Sequence, residues 1–162
     1  MVAILGGVIL ANQTKRADAA PTVDGIHCAA IEGAVTHTHQ HLTIYDAGTP
    51  VPVPQGVGVN EVKGCLFALH THSPDGITHV ESPTTAQNTL GQFFDIWGQP
   101  LTRAQVAAAA ATRVHSVRAY VNGHLYAGDL RAIPLTSHAL ITLEMGPPWV
   151  APATHFSWPQ GT

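Results

Sequence analysis

THTHQHLTIY at residues 36–45 and LHTHSPDGITHVE at residues 69–81 are the two histidine-rich stretches of this chain. In an extended backbone, successive side chains point to opposite faces, so every second residue of a strand shares a face. The first stretch therefore predicts a strand with three imidazoles on one face, and the second predicts two more on a neighbouring strand, followed by a turn and a returning strand. These residues are His37, His39, His41, His70 and His72, with His79 and Glu81 after the turn.

The histidine pattern predicts a metal site between two strands. Neutral imidazole is the commonest metal ligand in proteins, and neither a helix nor a core needs so many histidines on one face. The six candidate metal ligands are His37, His39, His41, His70, His72 and His79. Of these, His37 at the strand entrance is the first that we expect to lie outside the site. The ligand set that we expect is His39, His41, His70 and either His72 or His79, with Glu81 as a ligand or as a residue that orients one.

The available ligand types favour copper or zinc. The chain has only two methionines, so it lacks the Met-rich set that favours Cu(I). An all-imidazole site suits Zn²⁺ or Cu²⁺, and Fe or Ni is also compatible with it. The other histidines are dispersed and have no predicted role: His27, His115, His124, His138 and His155.

Composition predicts one strand-rich domain. The chain has 162 residues, which suffices for one domain with a real core. Charged residues make up 10% and hydrophobic residues 45%, with 12 Pro and 15 Gly, as in compact folds with many turns. The formal net charge is −3 and no basic run occurs, so we expect no nucleic-acid partner. No pattern specifies an oligomeric state.

The first 26 residues are expected to be a targeting segment and linker. The run MVAILGGVILA has the length of a signal-peptide core, and small residues at 17–20 offer a cleavage site. Because Lys15 and Arg16 follow the run rather than precede it, a longer signal or a membrane anchor is an alternative, as is a buried N-terminal strand or helix. We expect residues 27–162 to form one extracytoplasmic metal-binding domain, secreted or membrane-anchored.

Cys28 and Cys65 lie far apart and do not form a CxxC pair. In an exported protein two such cysteines are expected to form one disulfide, worth about 4 kcal/mol in the chain-entropy model. The alternative is thiolate ligation beside the histidines, as in a blue-copper site. The disulfide would join the segment before the first histidine strand to the start of the second.

The turn signal SPDG at residues 73–76 follows the predicted second strand, residues 65–72, and determines the register of the hairpin. A four-residue loop puts His70 across from His79. A three-residue loop with a bulge at Gly76 turns His79 to the other face. We expect the four-residue loop, which gathers the histidines.

The rest of the chain predicts one main helix and a second set of strands. Residues 89–98, TLGQFFDIWG, begin at an N-cap and carry an aromatic stripe that is typical of a helix covering a sheet. Residues 101–111 contain an alanine run that predicts a second helix or a flexible linker. The Asn122-Gly123 pair predicts a hairpin, residues 140–144 a last strand, and the residues after 146 an irregular tail.

The order of these elements resembles a β-grasp fold. The specific part is VRAYVNGHLYAGDLRAIPLTSHALITLEM, residues 117–145, which is similar to the ends of ubiquitin-like domains. The resemblance implies an α+β domain with a β-grasp-like mixed sheet and one covering helix. It carries no function, because fold does not imply function.

A second resemblance covers most of the domain. The motifs HTHQHLTIY, ALHTHSPDGITHVESP, TLGQFFDIWGQPL and VNGHLYAGDLRAIPL look like an uncharacterised family of small exported bacterial proteins rich in histidine. The resemblance implies export and a role for the histidine segments. It implies no established activity.

Metal binding is the function that the sequence favours, because ligands are visible whereas a substrate pocket is not. The first hypothesis is an exported protein that holds copper or zinc in a closed shell. The second is a metalloenzyme of the hydrolase, hydratase or copper oxidase type, in which three histidines leave an open position and Glu81 or Asp75 is the general base. The third is a metal-free surface module whose histidines sense pH. Sequence motifs of metal-free enzyme classes are absent.

Overall fold

A computed structural model describes residues 20–110 and 116–162 of the chain, so the apolar run at the N-terminus and His115 lie outside the described residues. The elements, in chain order, are β1 (Thr22–Val23), β2 (Ile26–His27), β3 (Thr36–Asp46), β4 (Thr49–Val51), β5 (Val59–Asn60), β6 (Cys65–Leu66), β7 (Leu69–His70), β8 (Ile77–Ser82), α1 (Leu90–Trp97), β9 (Gln105–Val106), β10 (Ala109–Ala110), β11 (Ser116–Val121), β12 (His124–Leu125), a 3₁₀ helix (Leu130–Ala132) and β13 (Leu140–Gly146).

The histidine strand β3 lies inside a mixed seven-stranded sheet. The strands follow the order β12-β11-β13-β3-β8-β7, and β4 pairs with the end of β3. Strand β13 runs parallel to β3 on one side, whereas β8 runs antiparallel to it on the other. This mixed sheet, together with one α-helix in the described residues, confirms the predicted strand-rich α+β class.

Alternation along β3 separates a core face from a histidine face. Leu42 and Ile44 are each 2% exposed and belong to the main apolar cluster, which also contains Phe93 and Phe94 of α1. Burying side chains of this size stabilises the fold by roughly 1.5–3 kcal/mol each. A shift of one residue would expose these side chains, so the core holds the register of β3.

Helix α1 confirms the helix predicted at residues 89–98. Thr89 is its N-cap and forms a capping box with Gln92, and Gly98 ends it in the left-handed conformation with φ 70°. Its aromatic stripe is core packing, as expected, because Phe93 and Phe94 are fully buried.

The second helix predicted at residues 101–111 is wrong for the residues that the structure describes. Residues up to 110 form the hairpin β9–β10 instead. The Thr102 hydroxyl accepts hydrogen bonds from the backbone N–H groups of Ala104 and Gln105, which favours a turn. Val106 is completely buried, so tertiary packing overrides the helix propensity of the alanines.

Other boundaries differ in detail. Residues 65–72 were expected to be one strand, but β6 pairs with β5 while β7 pairs with β8. Residues 22–27, expected within the linker, hold the hairpin β1–β2, whose turn residues Asp24 and Gly25 both have positive φ. The predicted Asn122-Gly123 turn connects β11 to β12, and residues 147–162 contain no helix or strand.

The predicted disulfide joins Cys28 to Cys65 with a sequence separation of 37. Cys28 is buried, and Ala29 next to it exchanges two backbone hydrogen bonds with Leu66. Thiolate ligation by these cysteines is therefore excluded, and the segment after Cys28 is held against the sheet. That segment carries Glu32, which proves important for the site.

We expect the double substitution Cys28→Ser and Cys65→Ser to lower the free energy of unfolding by about 4 kcal/mol, because it releases a loop of this length in the unfolded chain. Urea denaturation of the variant against the oxidised protein measures the change. Ser157→Ala, an exposed substitution, is the control. An unchanged unfolding midpoint in the double variant would contradict this account of the disulfide.

Candidate metal centre

Three neighbouring strands present the histidines in one row across the sheet. In the register of β3 with β8, His39 lies opposite His79, and in the register of β8 with β7, His79 lies opposite His70. The predicted pairing of His70 with His79 is confirmed. Two residues further along β3, His37 lies opposite Glu81 of β8, and this pair forms a second row on the same face.

The turn before β8 maintains this register through a glycine. Gly76 has φ 82°, and a Cβ atom at this position would lie 2.6 Å from the carbonyl oxygen of Leu42. The side chain of Asp75 accepts a hydrogen bond from the backbone of Ile77 and closes the turn. A larger residue at 76 would therefore push the hairpin away from β3.

The first pair of histidines approaches the carboxylate of Glu81. The Nε2 atoms of His37 and His39 are 3.2 Å apart. His37 Nε2 is also 3.2 Å from Glu81 Oε1, and His79 Nδ1 is 3.4 Å from the same oxygen. The ring of His79 meets the ring of His39 edge to face, with centroids 4.6 Å apart.

The second pair of histidines approaches the same oxygen of Glu81 less closely. The Nε2 atoms of His70 and His72 are 3.2 Å apart, and His70 Nε2 is 3.9 Å from Glu81 Oε1. Glu32 Oε1 lies 3.9 Å from His70 Nε2 and 3.8 Å from His72 Nε2. Glu32 was not predicted, because a lone glutamate in a loop far from both stretches carries no metal signal in sequence.

These ligand atoms form two overlapping groups. Within each, one atom from every residue lies within 4.8 Å of the others. Two ligands of a tetrahedral ion with bonds of about 2.0–2.1 Å are about 3.3 Å apart, so the 3.2 Å spacing in each histidine pair fits a shared ion. The groups are His37, His39, His79 and Glu81, and His70, His72, His79 and Glu81.

His41 lies outside both groups and His37 inside one, the reverse of what we expected. The ring of His41 stacks on Phe156 of the C-terminal tail with centroids 3.8 Å apart, and its Nε2 atom donates to the carbonyl of Asp75 at 3.1 Å. His41 pairs with Ile77, at the end of β8 remote from Glu81. Which end of β3 joins the cluster depends on the position of Glu81 along β8. The alternating pattern of β3 does not indicate that position.

Burial favours the neutral form of His39, His70 and His79. Desolvation lowers the pKa of His39 and of His70, and the neighbouring histidines add to the effect. Desolvation, followed by repulsion from four nearby imidazoles, lowers the pKa of His79 to about 3. Neutral imidazoles have a free lone pair, which is the form that binds a metal.

Hydrogen bonds orient the lone pairs towards the cluster. His70 Nδ1 lies 2.9 Å from the carbonyl oxygen of Phe67, which only accepts, so Nδ1 carries the proton and Nε2 is left bare. His79 Nδ1 is buried and has no hydrogen-bond partner in the described part of the chain. A buried nitrogen without a partner costs free energy unless it binds a metal ion or forms a hydrogen bond.

The carboxylates carry the negative charge of the centre. Burial, and then a hydrogen bond with Glu32, raises the pKa of Glu81, which is 6% exposed. Two carboxylates so close together favour either a shared proton or a cation between them. A metal ion is one cation that the groups around Glu81 could hold.

A cavity of about 640 Å³ opens beside the carboxylates. Its wall includes Glu32 and Glu81, and most of its other lining residues are apolar, among them Ile31, Val35 and Phe67. It therefore offers a partly open, largely apolar space that adjoins the two carboxylates.

Comparisons with known proteins give no family: no family model, no curated protein and no solved structure matches this chain. In residues 20–110 and 116–162, no helix is long and apolar enough to cross a membrane.

The metal-free protein should lose stability in acid. The pKa of His79 is lowered from 6.5 to about 3 in the folded chain, so between these values the unfolded chain binds more protons. The stability that neutral His79 contributes is complete above pH 6.5 and is lost as the pH falls towards 3. Urea unfolding of metal-free protein at about pH 7.5 and about pH 4.5 should give a lower free energy in acid.

His79→Asn tests the origin of this acid sensitivity. The variant should show a smaller loss between the two pH values, whereas His124→Asn, on the exposed strand β12, should behave as the parent. Glu81, whose pKa is raised in the folded chain, makes the free energy of unfolding depend on pH in the opposite direction. This contribution is common to all three proteins. Equal losses in His79→Asn and the parent would contradict the assignment.

Proposed function

We propose that this protein binds a transition metal ion, Zn²⁺ or Cu²⁺, through the histidines and glutamate that meet on strands β3, β7 and β8. One observation carries the proposal: in each of two overlapping groups, three histidines and Glu81 offer ligand atoms that lie within 4.8 Å of one another on a partly buried sheet face. Imidazole with carboxylate suits both metals, and no free cysteine is present in the described residues to favour a softer one.

The burial of the cluster argues for a ligand rather than for a wet surface. His39 is 5% exposed and His70 is fully buried. Buried polar groups cost free energy unless hydrogen bonds or a metal satisfy them. A surface module that senses pH needs imidazoles that titrate near neutrality, whereas burial lowers the pKa of both of these.

A metalloenzyme is the second candidate function, and the cavity beside the cluster favours it. A substrate in this cavity would lie next to Glu81, which can act as general base for a metal-bound water. Asp75, the other base considered, lies beside His41 at the opposite end of β8. The number of protein ligands separates the two functions, since a closed shell of four is structural and a shell of three leaves an open position.

The export of the protein is also a proposal. The disulfide between Cys28 and Cys65 supports it, because disulfides persist in oxidising compartments. The apolar run at the N-terminus is consistent with a signal or an anchor. Secreted and membrane-anchored forms both fit these observations.

A β-grasp-like arrangement and membership of the uncharacterised exported family are proposals of the same kind. The sheet order β8-β3-β13-β11, with β3 and β13 parallel, supports the first. Helix α1 follows β8 and precedes β11 in the chain, as the resemblance implies. The histidine motifs support the second.

Metal analysis of protein purified without a histidine tag tests the proposed function. We expect stoichiometric uptake of Zn²⁺ or Cu²⁺ by the parent. His79→Ala, which removes the one histidine common to both groups, should weaken binding by more than the roughly 10–100-fold that loss of an outer-shell partner costs. His70→Ala should also lose metal while keeping its circular dichroism spectrum.

His41→Ala is the matched control, because it removes a histidine from the same face of β3 that lies outside both groups. It should bind metal as tightly as the parent. A parent protein that takes up no stoichiometric Zn²⁺ or Cu²⁺ would refute metal binding. Equal losses in His41→Ala and His79→Ala would refute the ligand set.

A further inference from the structure

The centre is built from two copies of one tripeptide. His37-Thr38-His39 on β3 and His70-Thr71-His72 at the end of β7 have the same sequence, HTH. In each copy the two Nε2 atoms are 3.2 Å apart, the spacing of neighbouring ligands on a tetrahedral ion. Each copy is therefore a two-pronged ligand of its own.

One ion cannot serve both copies. Two ligands on one ion with bonds of about 2.0–2.2 Å are at most about 4.4 Å apart. The groups that satisfy a 4.8 Å limit contain one histidine pair each, and only His79 and Glu81 belong to both. An ion held by either pair leaves the other pair of Nε2 atoms beside each other without a cation.

Glu81 lies between the two pairs. Its Oε1 atom is 3.2 Å from His37 Nε2 and 3.9 Å from His70 Nε2, both within the range for ligands of a common ion. This one oxygen lies within ligand range of both pairs, so the carboxylate is placed to bridge two ions. Glu32, at 3.9 Å from His70 Nε2 and 3.8 Å from His72 Nε2, supplies a further oxygen on the side of the second pair.

We propose that the protein binds two divalent transition metal ions, bridged by the carboxylate of Glu81; this rests on the proposed metal-binding function. The ligands of the first ion are His37, His39 and His79. The ligands of the second ion are His70, His72 and Glu32. Two carboxylates then balance part of the charge of the two ions, and both of these carboxylates line the cavity.

Titration of metal-free, tag-free protein with Zn²⁺ tests this proposal, with bound metal counted by plasma mass spectrometry. We expect two ions per chain in the parent and in the control His124→Ala. His37→Ala and His72→Ala, which change half-exposed side chains at the two ends of the cluster, should each retain one ion. The double variant should retain none.

Glu32→Gln adds a variant with little risk to folding, since Glu32 is 48% exposed. It should weaken the second ion at least tenfold and leave the first unchanged, and the d–d spectrum of bound Co²⁺ should lose one component. One ion in the parent, lost in both single histidine variants, would overturn the two-ion centre and leave metal binding standing. No uptake by the parent would overturn both.

Discussion

The backbone pairing of β3, β8 and β7 is the constraint on which the site depends. It sets His39, His79 and His70 opposite one another across three strands, and His37 opposite Glu81 in the next row. A one-residue slip would turn the histidines into the core and Leu42 and Ile44 into solvent. The apolar face of β3 therefore holds the histidine face in place, and hydrophobic burial supports a cluster that is costly on its own.

Parts distant in sequence complete the cluster. The disulfide fixes the segment after Cys28 near the sheet, and backbone hydrogen bonds from Gly33 to Glu81 and from Val35 to Ser82 bind it to β8. Glu32 is thereby held beside His70 and His72. The same segment forms one wall of the cavity, so a single covalent link contributes to both the ligand set and the space that adjoins it.

Local patterns in the sequence predicted β3, the last strand, the main helix and the pairing of His70 with His79, because alternation, capping and turn chemistry are local effects. The inclusion of His37 and the exclusion of His41 could not be predicted, since they depend on where Glu81 lies along β8 and on the stacking of the tail residue Phe156. Glu32 joins only through tertiary structure. The helix expected at residues 101–111 is replaced by a hairpin up to residue 110, because the burial of Val106 overrides the helix propensity of the alanines.

Anomalous diffraction from crystals grown with Zn²⁺, with data collected on both sides of the zinc absorption edge, locates any zinc bound between β3 and β8. We expect a peak of anomalous density within about 2.0–2.1 Å of histidine nitrogens from β3 and β8, beside the carboxylate of Glu81. Density only at exposed histidines such as His124 or His155, with none between the strands, would contradict this expectation.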